Sequence, residues 1–88
     1  MLRIVLDFQH LADRQALYAA FSEQSHCPPG FGNNLDALWD WITGGMALPA
    51  QIHLHYLPLP VEGQFAPVIA VFEEAVQALE GELHLIRD

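Results

Sequence analysis

Two carboxylates, Asp36 and Asp40, stand four residues apart in the stretch 32–40, G-N-N-L-D-A-L-W-D. In a helix that spacing puts both on one face, one turn apart, where like charges repel at a cost of roughly 0.2–0.5 kcal/mol. The chain carries three cations, all arginines, at positions 3, 14 and 87, and none is placed in the sequence to neutralise the pair locally. An unpaired acidic pair on an aromatic-flanked helix reads as a surface built to meet cations elsewhere. Asp36, in the first turn, also complements the helix dipole, for roughly 0.3–1 kcal/mol. Asp40 lies too far along to gain from it and, without a partner, is a solvated helix face. Trp39 and Trp41 are the size of packing residues, and Trp39, beside the acids, is the better placed of the two to touch a partner.

Other residues suggest other chemistry. His53 and His55 alternate onto one strand face, and His84 with Glu82 shares that face on another strand. A His-x-His pair with a third ligand can hold zinc, copper or nickel. The same residues also suit exposed polar positions on a half-open sheet, and a first strand lying between the two would hold them apart. No metal or other cofactor is therefore expected, with His53, His55 and His84 the candidates if one binds. His10 and His26 lack a paired ligand. For catalysis, an acid pair needs a cleft and shifted proton affinities, which a convex helix on a small domain does not offer. Cys27 follows His26, but adjacent residues rarely point at one another, and Pro28-Pro29 extends the loop. G-F-G-N-N lacks the spacing and the lysine of a phosphate-binding loop. The chain is expected to bind rather than to catalyse.

Composition narrows the partner. With 88 residues, 52% hydrophobic, the chain is expected to form one domain, 1–88, with ample material for a core. No apolar run approaches the ~20 residues that cross a bilayer, and the start, M-L-R-I-V-L-D-F, is broken by Asp7 and His10, unlike a signal peptide. One cysteine leaves no internal disulfide framework and fits a reducing, cytoplasmic setting. The net charge is −8, with no lysine, so there is no basic footprint for nucleic acid or an anionic membrane. A basic protein is the expected partner, met by fast, salt-sensitive association.

The elements that must position these residues follow from periodicity. Residues 2–8 form an apolar run consistent with a buried strand. Asp13 is a plausible N-cap, and Ala16, Leu17, Ala20 and Phe21 recur at helical spacing over about 10–12 residues. Residues 25–32, S-H-C-P-P-G-F-G, are breaker-rich. Asn34 caps a second helix, which Gly44-Gly45 ends. Residues 51–57 alternate Ile52, Leu54 and Tyr56 against His53 and His55, a strand with two distinct faces. Pro58 and Pro60 stop it and Glu62-Gly63 turns the chain. An amphipathic helix then runs from Phe65 to Leu79, with Pro67 in its first turn. Gly81 ends it, and 82–87 is a last strand. This order favours a two-layer α/β fold: a small three-stranded parallel sheet with about three helices on one face. The covered face takes Leu2, Ile4, Leu6, Ile52, Leu54, Tyr56, Leu83 and Leu85. The other takes Arg3, Val5, Asp7, His53, His55, Leu57, Glu82, His84 and Ile86.

The stretch G-N-N-L-D-A-L-W-D with the following I-T-G, the later V-F-E-E-A at 71–75 and the element order resemble the barstar family of intracellular ribonuclease inhibitors. The match is strongest over about a dozen residues around the second helix. The resemblance implies a small parallel sheet with packed helices and a mechanism of mimicry, in which one carboxylate of this helix sits where an RNA phosphate would. By motif that carboxylate is Asp40, with Asp36 beside it, Glu74 flanking the site, and Asn34, Trp39 and Phe31 at or near the surface. A phosphate-binding site must hold cations, and carboxylates offer the same donors charge-assisted hydrogen bonds. Where the family has two adjacent tyrosines before the motif glycine, this chain has Gly30 and Phe31, and Gly45 replaces a tryptophan after the helix. The short helix before the last one is reduced to L-P-L-P-V-E-G. The expectation is a cytoplasmic, monomeric inhibitor of a barnase-type ribonuclease. The alternatives are an interaction module for another basic protein and a minor metal role for the histidines.

Overall fold

The computed structural model describes residues 1–28, 32, 34–61 and 63–87. Its elements are β1 (Leu2–Asp7), α1 (Arg14–Gln24), α2 (Leu35–Gly44), β2 (Ala50–His55), a 3-10 turn (Gly63–Phe65), α3 (Ala66–Ala78) and β3 (Leu83–Arg87). The strands form one sheet in the order β1-β2-β3, parallel throughout. Each crossover therefore carries helix, as a parallel connection requires.

Local chemistry sets the helix ends. Asp13 accepts a hydrogen bond from the Ala16 N–H at 2.9 Å, and Asn34 accepts one from the Ala37 N–H at 2.8 Å; both are side-chain N-caps. α3 has no such cap and begins with a proline in its first turn, where the missing N–H costs nothing. Beyond α3, Glu80 (φ 41°) and Gly81 (φ 94°) turn the chain through the left-handed region into β3, a conformation glycine adopts freely.

One sheet face is closed by helices. Ile4, Leu6, Ile52, Leu54 and Leu83 meet Leu17, Tyr18 and Phe21 of α1, Leu38 and Ile42 of α2, and Val68, Ile69, Phe72 and Ala75 of α3. Each large side chain so buried contributes ~1.5–3 kcal/mol of transfer free energy. Phe21 and Phe72 stack with ring centroids 5.6 Å apart, joining α1 to α3. α1 packs on β1 and α3 on β3, while α2 packs chiefly on α3. The opposite face stays open: Arg3, Val5 and His84 are exposed, and Gln51, His53 and His55 are partly so. The outer edge of β1 is occupied by one side chain. The Gln24 amide accepts from the Val5 N–H at 2.7 Å and donates to the Val5 carbonyl at 2.8 Å, the two bonds a further strand would make there.

Four expectations shift. Tyr56 does not join the covered face; β2 ends at His55, and Tyr56, at φ 59°, is 61% exposed. The alternation breaks because the chain must leave the sheet at that residue. Ala50 takes the extra inward place at the start of β2 and is fully buried. Glu82 precedes β3 rather than opening it, although its carbonyl accepts from the Ala50 N–H at 2.9 Å. Leu57, assigned to the open face, packs against the core. The Glu62 half of the proposed turn lies outside the described residues. Among the described residues, no helix is long and apolar enough to cross a membrane.

Candidate functional site

The rotation of α2 is fixed by Leu38 and Ile42, both fully buried. With those inward, Asp36 and Asp40 are exposed, separated by about 6 Å along the axis at 1.5 Å per residue. Trp39 is half-buried against the core on the flank nearer the acids. Its carbonyl accepts from the Thr43 hydroxyl at 2.7 Å. Trp41 faces the other flank, where its indole N–H donates to the Ser25 hydroxyl at 2.9 Å and so ties α2 to the end of α1.

Among the described residues, Asp36, Asp40 and Glu74 make no ion pair and their side chains accept no hydrogen bond. Close charged pairs among the described residues lie elsewhere, between His10 and Asp7 at 3.6 Å, an ion pair when the imidazole is protonated, and between Arg87 and Glu73 at 3.1 Å. That second pair shows which way Glu73 points. Glu73 turns toward β3 to meet Arg87, and the next residue is rotated by about 100°. Glu74 thus leaves the β3 flank of α3, the helix on which α2 packs, and stands exposed. Asn34 holds the start of α2, its amide also donating to the Gly32 carbonyl at 3.2 Å. Phe31 and Gly30 lie outside the described residues.

Sequence reasoning missed Arg14. It lines an open groove of about 480 Å³ with Gln15 and Tyr18 of α1 and with Asn34, Leu35 and Asp36 around the start of α2. No spacing rule could reveal this, because the two walls belong to different helices. Arg14 and Asp36 share the groove without forming an ion pair.

The histidines are arranged differently from the acids. With β2 central, β2 and β3 are neighbours, so no strand separates the candidates. The register places His84 opposite Gln51 and His53 opposite Ile86. His53 and His55 meet edge to face with centroids 6.1 Å apart, and His53 Nε2 lies 3.1 Å from Gln51 Oε1. Among the described residues, no three His, Cys, Asp or Glu side chains are grouped to hold a metal ion. Burial pushes the partly buried Cys27 thiol above its ordinary range, away from the thiolate a nucleophile needs.

A small parallel sheet, helices on one face and an outward acidic pair on α2 define the molecule. The family Barstar (barnase inhibitor) matches residues 1–87. The chain belongs to the barstar family. A protein of Bacillus subtilis (strain 168) named "Putative ribonuclease inhibitor YrdF" is 30% identical over 89 residues, covering 98% of each chain. Barstar-family proteins are inhibitors of ribonuclease and not enzymes, and membership implies a barnase-type ribonuclease as the partner. In this barstar-family chain, Gly45 is the C-cap of α2. A Cβ there would lie 2.6 Å from Trp41 Cζ3 and 2.7 Å from Cε3. The ring of Trp41 already covers this position, leaving no room for a side chain on it.

Proposed function

We propose that this barstar-family protein inhibits its ribonuclease by laying α2 across the active site, with Asp40 taking the place of an RNA phosphate. Asp36 and Glu74 flank that contact, and Trp39, Asn34 and Phe31 support it. The carrying observation is that the acids are exposed and lack internal partners among the described residues. Their hydrogen-bonding capacity is free for the Arg, Lys and protonated His of a phosphate-binding site. The uncompensated charge steers the approach, and burying the pairs on docking slows release. The protein acts as a monomer in the cytoplasm, one inhibitor closing one active site.

Titration into a purified barnase-type ribonuclease, following RNA cleavage, tests this reading. Stoichiometric inhibition is expected. Asp40→Ala should weaken it by at least about thirtyfold, the size of a hot-spot loss of ~2 kcal/mol. Its melting temperature should hold or rise slightly as repulsion from Asp36 is relieved. Asp36→Ala and Glu74→Ala should weaken inhibition less. Intact inhibition and salt dependence after neutralising all three carboxylates would sink the mechanism. Absence of inhibition by the native chain would move the partner to another basic protein.

A further inference from the structure

Arg14 sits in an unfavourable place for a cation. It is the first residue of α1, and beyond the N-cap Asp13, whose carboxylate is engaged by the Ala16 N–H, the first turn of that helix contains no acidic residue, so its charge opposes the helix dipole. Its backbone N–H is engaged by Gln64 Oε1 at 3.3 Å. Its guanidinium, however, makes no ion pair or hydrogen bond among the described residues. Local stability does not account for an arginine here. Its position does. Arg14 is half-buried in the wall of the groove that Asp36 also lines, so a partner covering α2 also covers Arg14. A partner bringing only cations would bury this guanidinium against like charge and compete with it for Asp36, the one carboxylate among the described residues lining the groove, a penalty for a desolvated ion.

We propose that the groove between α1 and α2 receives a carboxylate from the rim of the ribonuclease's basic site, and that Arg14 recognises it. The groove thus presents a cation beside an anion. It fits a nuclease surface carrying the reversed pair and rejects one that is uniformly basic, so Arg14 is a specificity-determining residue. Its planar fork can grip a carboxylate through two hydrogen bonds, with Gln15 and Asn34 offering further polar contacts. This inference rests on the reading of Asp36 and Asp40 given above.

The test turns on a sign. Removing one of three cations from a chain of net charge −8 should, by long-range attraction alone, speed association with a basic nuclease and tighten binding. A docked carboxylate requires the opposite. Dissociation constants and rates for the native chain, Arg14→Ala, Arg14→Lys and Asp40→Ala would be measured against a barnase-type ribonuclease, with melting temperatures alongside. Arg14→Ala is expected to bind about tenfold more weakly or worse, through faster release, at an unchanged or higher melting temperature; loss of a charge-assisted hydrogen bond is of that size. Arg14→Lys should recover part of the affinity. If Asp40→Ala loses binding while Arg14→Ala binds as well as the native chain or better, the inference is overturned and the mimicry stands. If the native chain does not bind, or Asp40→Ala changes nothing, the mimicry falls and the inference with it.

Discussion

Trp41 ties two elements together through one side chain. Its indole N–H bonds to Ser25 while its ring lies on the backbone of Gly45, so helix end, α1 terminus and aromatic ring form one packed unit. The two adjacent glycines should therefore respond differently to alanine. At Gly45 the new methyl would fall 2.6 Å from the ring, and the ring would have to move from Ser25. Gly45→Ala is expected to cost about 1–3 kcal/mol, as overpacking does. At Gly44, inside α2, nothing lies within 4 Å, and Gly44→Ala should be neutral or stabilise by up to ~1 kcal/mol. Urea denaturation of the two variants measures both. Equal effects would mean that the ring does not hold the glycine in place.

Among the elements, β1 depends on a contact made by a side chain. The Gln24 amide satisfies both outward backbone groups of Val5, and Gln24→Ala should remove about 1–2 kcal/mol, the net worth of two such bonds. Amide exchange at Val5 should accelerate while that at Ile52 in the central strand does not; unchanged Val5 exchange would remove the Gln24 amide from the account. This contact was invisible in the sequence, because helix periodicity says which face of α1 is inward and nothing about which strand edge a polar residue reaches. What was legible was local. Asp13 and Asn34 announced their caps, Gly44-Gly45 the end of α2, and Pro67 the first turn of α3. The Asp36–Asp40 face followed from the helical repeat alone. Glu74 entered through the V-F-E-E-A resemblance, and its exposure became clear only in the fold. Arg14 needed the tertiary fold. Tyr56 failed because alternation cannot report where a strand stops being a strand.

For the whole molecule, the proposed inhibition predicts kinetics set by charge. A chain of net charge −8 approaching a basic nuclease is guided by a field that salt shortens, from a screening length of ~30 Å at 0.01 M to ~8 Å at 0.15 M. Stopped-flow association should slow by about tenfold or more over that range, with dissociation changing much less. A salt-independent association rate would argue against steering. The division of labour within α2 has a further meaning. Leu38 and Ile42 anchor the helix, whereas the side chains of Asp36 and Asp40, like that of Glu74 on α3, make no hydrogen bond or ion pair among the described residues. In the proposed mechanism, the acids that meet the partner are therefore not the residues that hold the fold. A lineage can exchange the acids one at a time and remain folded at every step. An inhibitor made this way can follow a changing ribonuclease through single substitutions, and its heredity of shape places little restraint on its heredity of target.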